Sequence, residues 1–168
     1  ALVERDHPYL IQNTHHNPLN VGFPNGTIKG TITLDLDQVI GGKDYIGHGW
    51  KMLMDCLSAG RGISLPATAN ASSKVATFGI YHYILVREQF RMSLSQMEAI
   101  QEKFLRMMFH TWCIQSSVCM TNDILDEGKS PAVISAIMKQ QTTERARLVL
   151  NDAMDIQGGS AICLGDNN

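Results

Sequence analysis

No concentration of positive charge appears anywhere in the chain. Its 14 Lys and Arg are dispersed against 16 Asp and Glu, for a net charge of −2, whereas a nucleic-acid binder gathers its cations on one face. Nucleic acid is therefore not an expected partner. No apolar run approaches the roughly 18 uninterrupted residues of a membrane span, so the chain is expected to be soluble, with peripheral association at a membrane left open. Cysteine is sparse: Cys56, Cys113, Cys119 and Cys163 include no C-x-x-C pair and no close spacing, which excludes a small disulfide scaffold and disfavours zinc. Packed, reduced thiols in a cytoplasmic setting are the expectation. No charged and apolar leader follows Ala1 and no tail-like composition precedes Asn168, so both ends read as cut.

Across 168 residues, a chain buries about 70 % of the surface its unfolded form exposes, enough for one good core and a satellite. The first 25 residues are rich in Pro, Asn and His (Pro8, Pro18, Pro24, Asn13, Asn17, Asn20), which favours turns joining short extended pieces. From Thr27 to Asp37 the pattern alternates strictly. Ile28, Ile32, Leu34 and Leu36 lie on one face and Thr27, Lys29, Thr31, Thr33 and Asp35 on the other, the period of a half-buried strand. Gly41 and Gly42 end it.

Helical periodicity dominates after Gly49. A first stretch from about Trp50 to Glu88 contains Gly60, Gly62 and Pro66, and the proline should kink or break it. A second, from about Gln96 to Glu127, opens on Ser95 with Glu98 three residues later, the pattern of a capping box, and Gly128 should close it. Its stripe runs through Met97, Ile100, Phe104, Met107, Met108, Ile114, Val118 and Leu125. A third opens with Ser130 as cap and Pro131 in the first turn, carries Ile134, Ile137, Met138, Leu148 and Ile156, and stops at Gly158 and Gly159. The fold class expected is mainly α: an up-and-down bundle of three long helices after a small β-rich segment, residues 1–45 against 46–168. Three such stripes cover one another incompletely, so a fourth helix is expected from beyond Asn168 or from another subunit.

Several clusters invite a chemical reading and most have a plainer one. His15 and His16 are adjacent with His7 upstream, but neighbours on an extended chain point to opposite sides, and ordinary surface histidine is the better reading. Lys43 in the Gly42 to Gly49 segment is followed by Asp44, where a phosphate loop needs Ser or Thr. Arg61 lies between Gly60 and Gly62; flanking glycines permit close approach to a backbone or ligand, but a helix break with a solvated arginine is the better reading of the residues alone. The segment Arg87, Glu88, Gln89, Phe90, Arg91 places cations at the end of a helical stretch, where they are favourable anyway.

Taken in order, four stretches resemble the acyl-CoA dehydrogenase family, and within it the long-chain bacterial members of fatty-acid β-oxidation. They are Val39 to Gly49 (VIGGKDYIGHG), Trp50 to Pro66 (WKMLMDCLSAGRGISLP), Val86 to Arg91 (VREQFR) and Asp152 to Gly165 (DAMDIQGGSAICLG). The likeness, spacing included, covers nearly the whole chain and is loosest over the first 25 residues. It implies the end of a middle β-domain followed by most of a C-terminal helical domain.

What the resemblance implies chemically is an FAD enzyme that converts fatty acyl-CoA to trans-2-enoyl-CoA, removing the α-proton with a carboxylate while the β-hydrogen leaves as hydride. Electrons would pass to an electron-transferring flavoprotein, and the enzyme would be a homodimer or larger. Arg87, Gln89 and Phe90 match the segment that reaches the FAD of a neighbouring subunit, with the arginine at the diphosphate. Gly158 and Gly159 match the glycine turn near the cofactor's adenosine part, although Ala161 stands where a further glycine is usual. Arg61 matches the arginine near the thioester end of the substrate. Gly60 occupies one of the family's positions for the catalytic glutamate and cannot take a proton, so the base is expected beyond Asn168 and the fragment alone is expected to be inactive. A non-catalytic helical interaction module of this fold, or an acyl-CoA oxidase, is the alternative.

Overall fold

The computed structural model describes residues 1–129 and 132–165. The chain is mainly helical and divides into two compact units, Ala1–Leu53 and Met54–Asn168. In the first, strand β1 (Leu10–His15) pairs antiparallel with β2 (Gly26–Gly30) from Leu10 opposite Gly30 to His15 opposite Gly26, with an irregularity between Gln12 and His15. The strand expected over Thr27 to Asp37 is thus much shorter. Its ladder ends where β1 does, at Gly30 with φ +154°, and beyond it Thr31 to Leu34 have no strand to pair with among the described residues. The alternation also overstates burial: Ile28 and Leu36 are exposed, while Ile32 and Leu34 are half-buried. Asp35 instead caps a 3-10 turn at Leu36–Gln38, its backbone amide donating to Gln38 Oε1 at 2.9 Å.

The second unit is an up-down-up bundle. Helix α1 (Gly49–Ala59) begins in the first unit and runs into a π-helical turn at Gly60–Ser64, then α2 (Leu65–Val86) with Pro66 buried in its first turn. Proline is tolerated there because first-turn amides lack intrahelical acceptors. A two-residue hairpin follows, β3 (Glu88–Gln89) with β4 (Met92–Ser93), then α3 (Glu98–Asp126) and α4 (Ala132–Gln157). The capping box expected at Ser95 is absent: the helix starts after Met97, whose side chain makes no cap. Ser95 is taken up in a 3-10 turn at Leu94–Gln96, where Ser93 Oγ accepts from the Ser95 amide and donates to Ile84 O at 2.8 Å. At the other end Gly128 adopts φ +76°. Its amide donates to Leu125 O at 2.9 Å and that of Lys129 to Ile124 O at 3.3 Å, the paired bonds of a glycine-closed helix. Ser130 and Pro131 lie outside the described residues.

Two apolar clusters fill the bundle. One joins Ile80 and Ile84 of α2, Leu94, Met107 of α3, and Val149, Ala153 and Ile156 of α4; the other joins Ala69, Ile114, Val118, Met138 and Ala146. The stripes expected from periodicity supply Met107, Ile114, Val118, Met138 and Ile156 of these positions, but Met108, Ile137 and Leu148 are exposed. The thiols are less packed than expected, with Cys56, Cys119 and Cys163 exposed and Cys113 half-buried. Among the described residues no helix is long and apolar enough to cross a membrane.

The π-turn is fixed by one close contact. A β-carbon on Gly62 would lie 2.5 Å from Ser135 Oγ and 2.7 Å from its Cβ, whereas one on Gly60 would meet nothing. Gly62 therefore lets the turn lie against α4. Gly62→Ala is expected to destabilise the fold by about 1–3 kcal/mol through overpacking. In urea unfolding, Ser135→Gly should recover part of that loss in the double variant; strictly additive effects would show that the two residues do not meet.

Candidate functional site

The residues singled out from sequence fall at two ends of the bundle. Arg61 sits in the π-turn, exposed, its side chain making no hydrogen bond or ion pair among the described residues. Its turn packs on Ser135, near the start of α4. Arg87, Gln89 and Phe90 belong to the other end, and Arg87 does not continue the helix as expected. Its φ of −78° and ψ of 128° are extended, and it starts the hairpin. The distance between the two ends is set by α4 between Ser135 and Gln157, roughly 33 Å at 1.5 Å per residue.

The hairpin is rigid at its base and strained at its tip. Arg87 N donates to Tyr83 O and Leu94 N to Arg87 O, both at 2.9 Å, while Leu94 is buried in the core. The tip residues Phe90 and Arg91 have φ of +52° and +64°, the doubly left-handed turn normally filled by Asn-Gly. Left-handed backbone costs a non-glycine residue about 1–2 kcal/mol. Phe90 is 88 % exposed, so no burial offsets that cost within this chain.

The glycine turn lies at the same end. Gly158 has φ +69° and opens a 3-10 turn over Gly158–Ala161, so its lack of a side chain follows from backbone conformation alone. Gly159 has an ordinary φ, and a β-carbon there would meet nothing within 4 Å, leaving room for an approaching group. Tyr83 links the two elements: its carbonyl accepts from Arg87 and its hydroxyl donates to Gln157 O at 3.4 Å. Between α2 and α4 runs an apolar groove of about 530 Å³ whose lining includes Val75, Gly79, Tyr83, Met154, Gln157 and Ala161. An exposed aromatic ring, guanidinium groups without carboxylate partners among the described residues and an open glycine turn suit a planar, anionic dinucleotide such as FAD.

A charged seam between α3 and α4 escaped the sequence reading. Arg106 forks onto Asp152, Nε to Oδ2 at 2.7 Å and Nη2 to Oδ1 at 2.5 Å, and Lys103 Nζ reaches Asp155 at 2.7 Å. Lys103, Arg106 and His110 at three- and four-residue steps, facing Arg145, Asp152 and Asp155, were the available signal. The Arg106 fork holds the buried Asp152 carboxyl below its ordinary value. Arg145 Nη1 lies 3.1 Å from His110 Nδ1, a bond that requires neutral imidazole with its proton on Nε2. Burial first, then Arg145, lowers the His110 pKa.

A family model described as the acyl-CoA dehydrogenase C-terminal domain matches residues 47–167, and the chain belongs to the acyl-CoA dehydrogenase family. It is 27 % identical over 161 residues to a probable acyl-CoA dehydrogenase of Mycobacterium tuberculosis, covering 94 % of this chain and 24 % of that protein. It is also 42 % identical over 77 residues to protein HemX of Proteus mirabilis, 45 % of each chain. Butyryl-CoA dehydrogenase from Megasphaera elsdenii superposes with a TM-score of 0.72 at 22 % identity, over 96 % of this chain and 42 % of that one. PigA, solved with FAD and proline, gives 0.81 at 18 % identity with the same coverage, 96 % and 42 %. At these identities the structural matches show the fold. The chain spans under half the length of each of these relatives.

Two outcomes follow. Phe90→Asn should raise stability by up to about 1 kcal/mol in chemical denaturation, since asparagine accepts the left-handed region and the ring buries nothing; a loss would mean that the ring packs within this chain. For pH, a lowered His110 pKa means the unfolded chain takes the proton first, so stability falls as pH drops below 6.5 and levels off once the folded imidazole also protonates. Asp152, also lowered, adds a second loss as pH falls below 3.8 through its folded value. Melting curves against pH should lose the upper limb in His110→Gln and the lower in Asp152→Asn.

Proposed function

We propose that this chain is the helical part of an FAD-dependent acyl-CoA dehydrogenase that introduces the α,β double bond into long-chain fatty acyl-CoA during bacterial β-oxidation. In this reading the whole enzyme works in the cytoplasm as a homodimer or larger, with electron-transferring flavoprotein as acceptor. The observation that carries it is the convergence of the Arg87 hairpin and the Gly158 turn through Tyr83, far from Arg61. A single cofactor in reach of this subunit's substrate would not also lie at the hairpin. Arg61 thus serves the subunit's own substrate, at the thioester end, and the hairpin serves the cofactor of a neighbour.

Each residue has a definite task on this reading. Arg87 offers a planar, permanently charged fork to a diphosphate. Gln89 supplies an amide for hydrogen bonding, Phe90 an apolar ring against the cofactor's flat surface, and Gly158 and Gly159 a turn that admits the adenosine part. Bound FAD supplies the hydride acceptor. Gly60 beside Arg61 can move no proton, so the carboxylate base comes from outside these 168 residues. A fourth helix, from elsewhere in the protein or from a neighbour, covers the groove between α2 and α4. Gly60 in a place where a base could stand also suits a second reading, a helical interaction module of the same fold without redox chemistry.

Flavin spectroscopy separates the two. The full-length protein should be yellow as purified and bleach on anaerobic addition of palmitoyl-CoA, and Arg87→Ala should lower its FAD affinity about tenfold or more. The 168-residue chain alone should reduce no electron acceptor with palmitoyl-CoA. A colourless full-length protein would favour the interaction module, and turnover by the isolated chain would mean that its base lies within these residues.

A further inference from the structure

Arg91 is held where the backbone disfavours it. It occupies the second left-handed position of the hairpin tip, φ +64°, a place that glycine fills without cost and that arginine enters only against its β-carbon. Nothing among the described residues offsets that cost. The side chain is exposed and makes no ion pair or hydrogen bond among the described residues, and neither it nor Arg87 pairs with the intervening Glu88. Strain kept at an exposed, unpartnered, charged residue points outward, to a ligand.

We propose that Arg91 is a second nucleotide-binding cation, acting with Arg87 on the same diphosphate. The inference rests on the dinucleotide reading of the hairpin given above. A diphosphate carries two negative charges and Arg87 neutralises one. Arg87 and Arg91 flank Gln89 and Phe90 on one short hairpin, no more than about 14 Å apart along the strand at 3.4 Å per residue, a gap that two extended guanidinium arms can close on one ligand. The hairpin base is fixed by buried Leu94 and by Ser93 bonded to Ile84 O, so both cations ride on a rigid support and little ordering remains to be done on binding. The left-handed φ is thus tolerated because it aims the second cation.

Calorimetric titration of the chain with ADP and with adenosine tests this, on the unaltered protein and on Arg87→Ala, Arg91→Ala and Arg91→Gly. ADP affinity should fall about tenfold in both Arg91 variants while adenosine binding stays the same. Arg91→Gly should also melt at a higher temperature than the unaltered chain, because glycine relieves the turn; this shows that the lost affinity is not lost folding. Unchanged ADP binding in the Arg91 variants, with Arg87→Ala still weakened, overturns the role of Arg91 alone. If Arg87→Ala is unchanged too, or the unaltered chain binds no ADP, the dinucleotide reading of the hairpin falls with it.

Discussion

Met107 of α3 and Val149 of α4 lie in one core cluster of the bundle with no exposed surface at all, and the packing of the long helices is organised around that burial. Burying such side chains contributes about 1.5–3 kcal/mol each. α2 must then lie with Ile80 and Ile84 against the same pair, which leaves the hairpin after Val86 at the end of the bundle where Leu94 can reach back into the core. The site elements are carried there by packing of the helices they follow.

The seam of Arg106 and Asp152 acts on the same geometry through charge. Asp152 is buried while Arg106 remains half-exposed, so the carboxylate must keep its partner while the guanidinium can turn to water. The cost of breaking the pair therefore falls mainly on α4. About two turns earlier on α4, Arg145 bonded to His110 requires an uncharged ring in a region that otherwise collects charge. Helix against helix, the register is thus specified by apolar fit at the centre and by hydrogen-bond direction along one edge.

The helices were legible in the sequence because three- and four-residue spacing of apolar side chains is a strong local signal, and Pro66, Gly128 and Gly158 punctuate it correctly. The strand at Thr27 was overextended because alternation marks a side chain's face and not the presence of a neighbour to bond with, and β1 runs out opposite Gly30. Ser95 looked like a cap from spacing alone, but Ser93 had already tied that turn to Ile84. For the site, Arg87 and the glycine pair stood out as residues, whereas their meeting through Tyr83 is a tertiary fact with no local trace. The hairpin was missed because Phe-Arg is not a pair that turn chemistry would nominate for two left-handed positions.

The π-turn at Gly60–Ser64 also has a consequence for angular phase. Each residue advances an α-helix by about 100°, and a π-turn holds one residue more than the helix around it needs. Deleting a single residue there would swing the preceding turn by that angle relative to α2. Arg61 would then be presented in another direction.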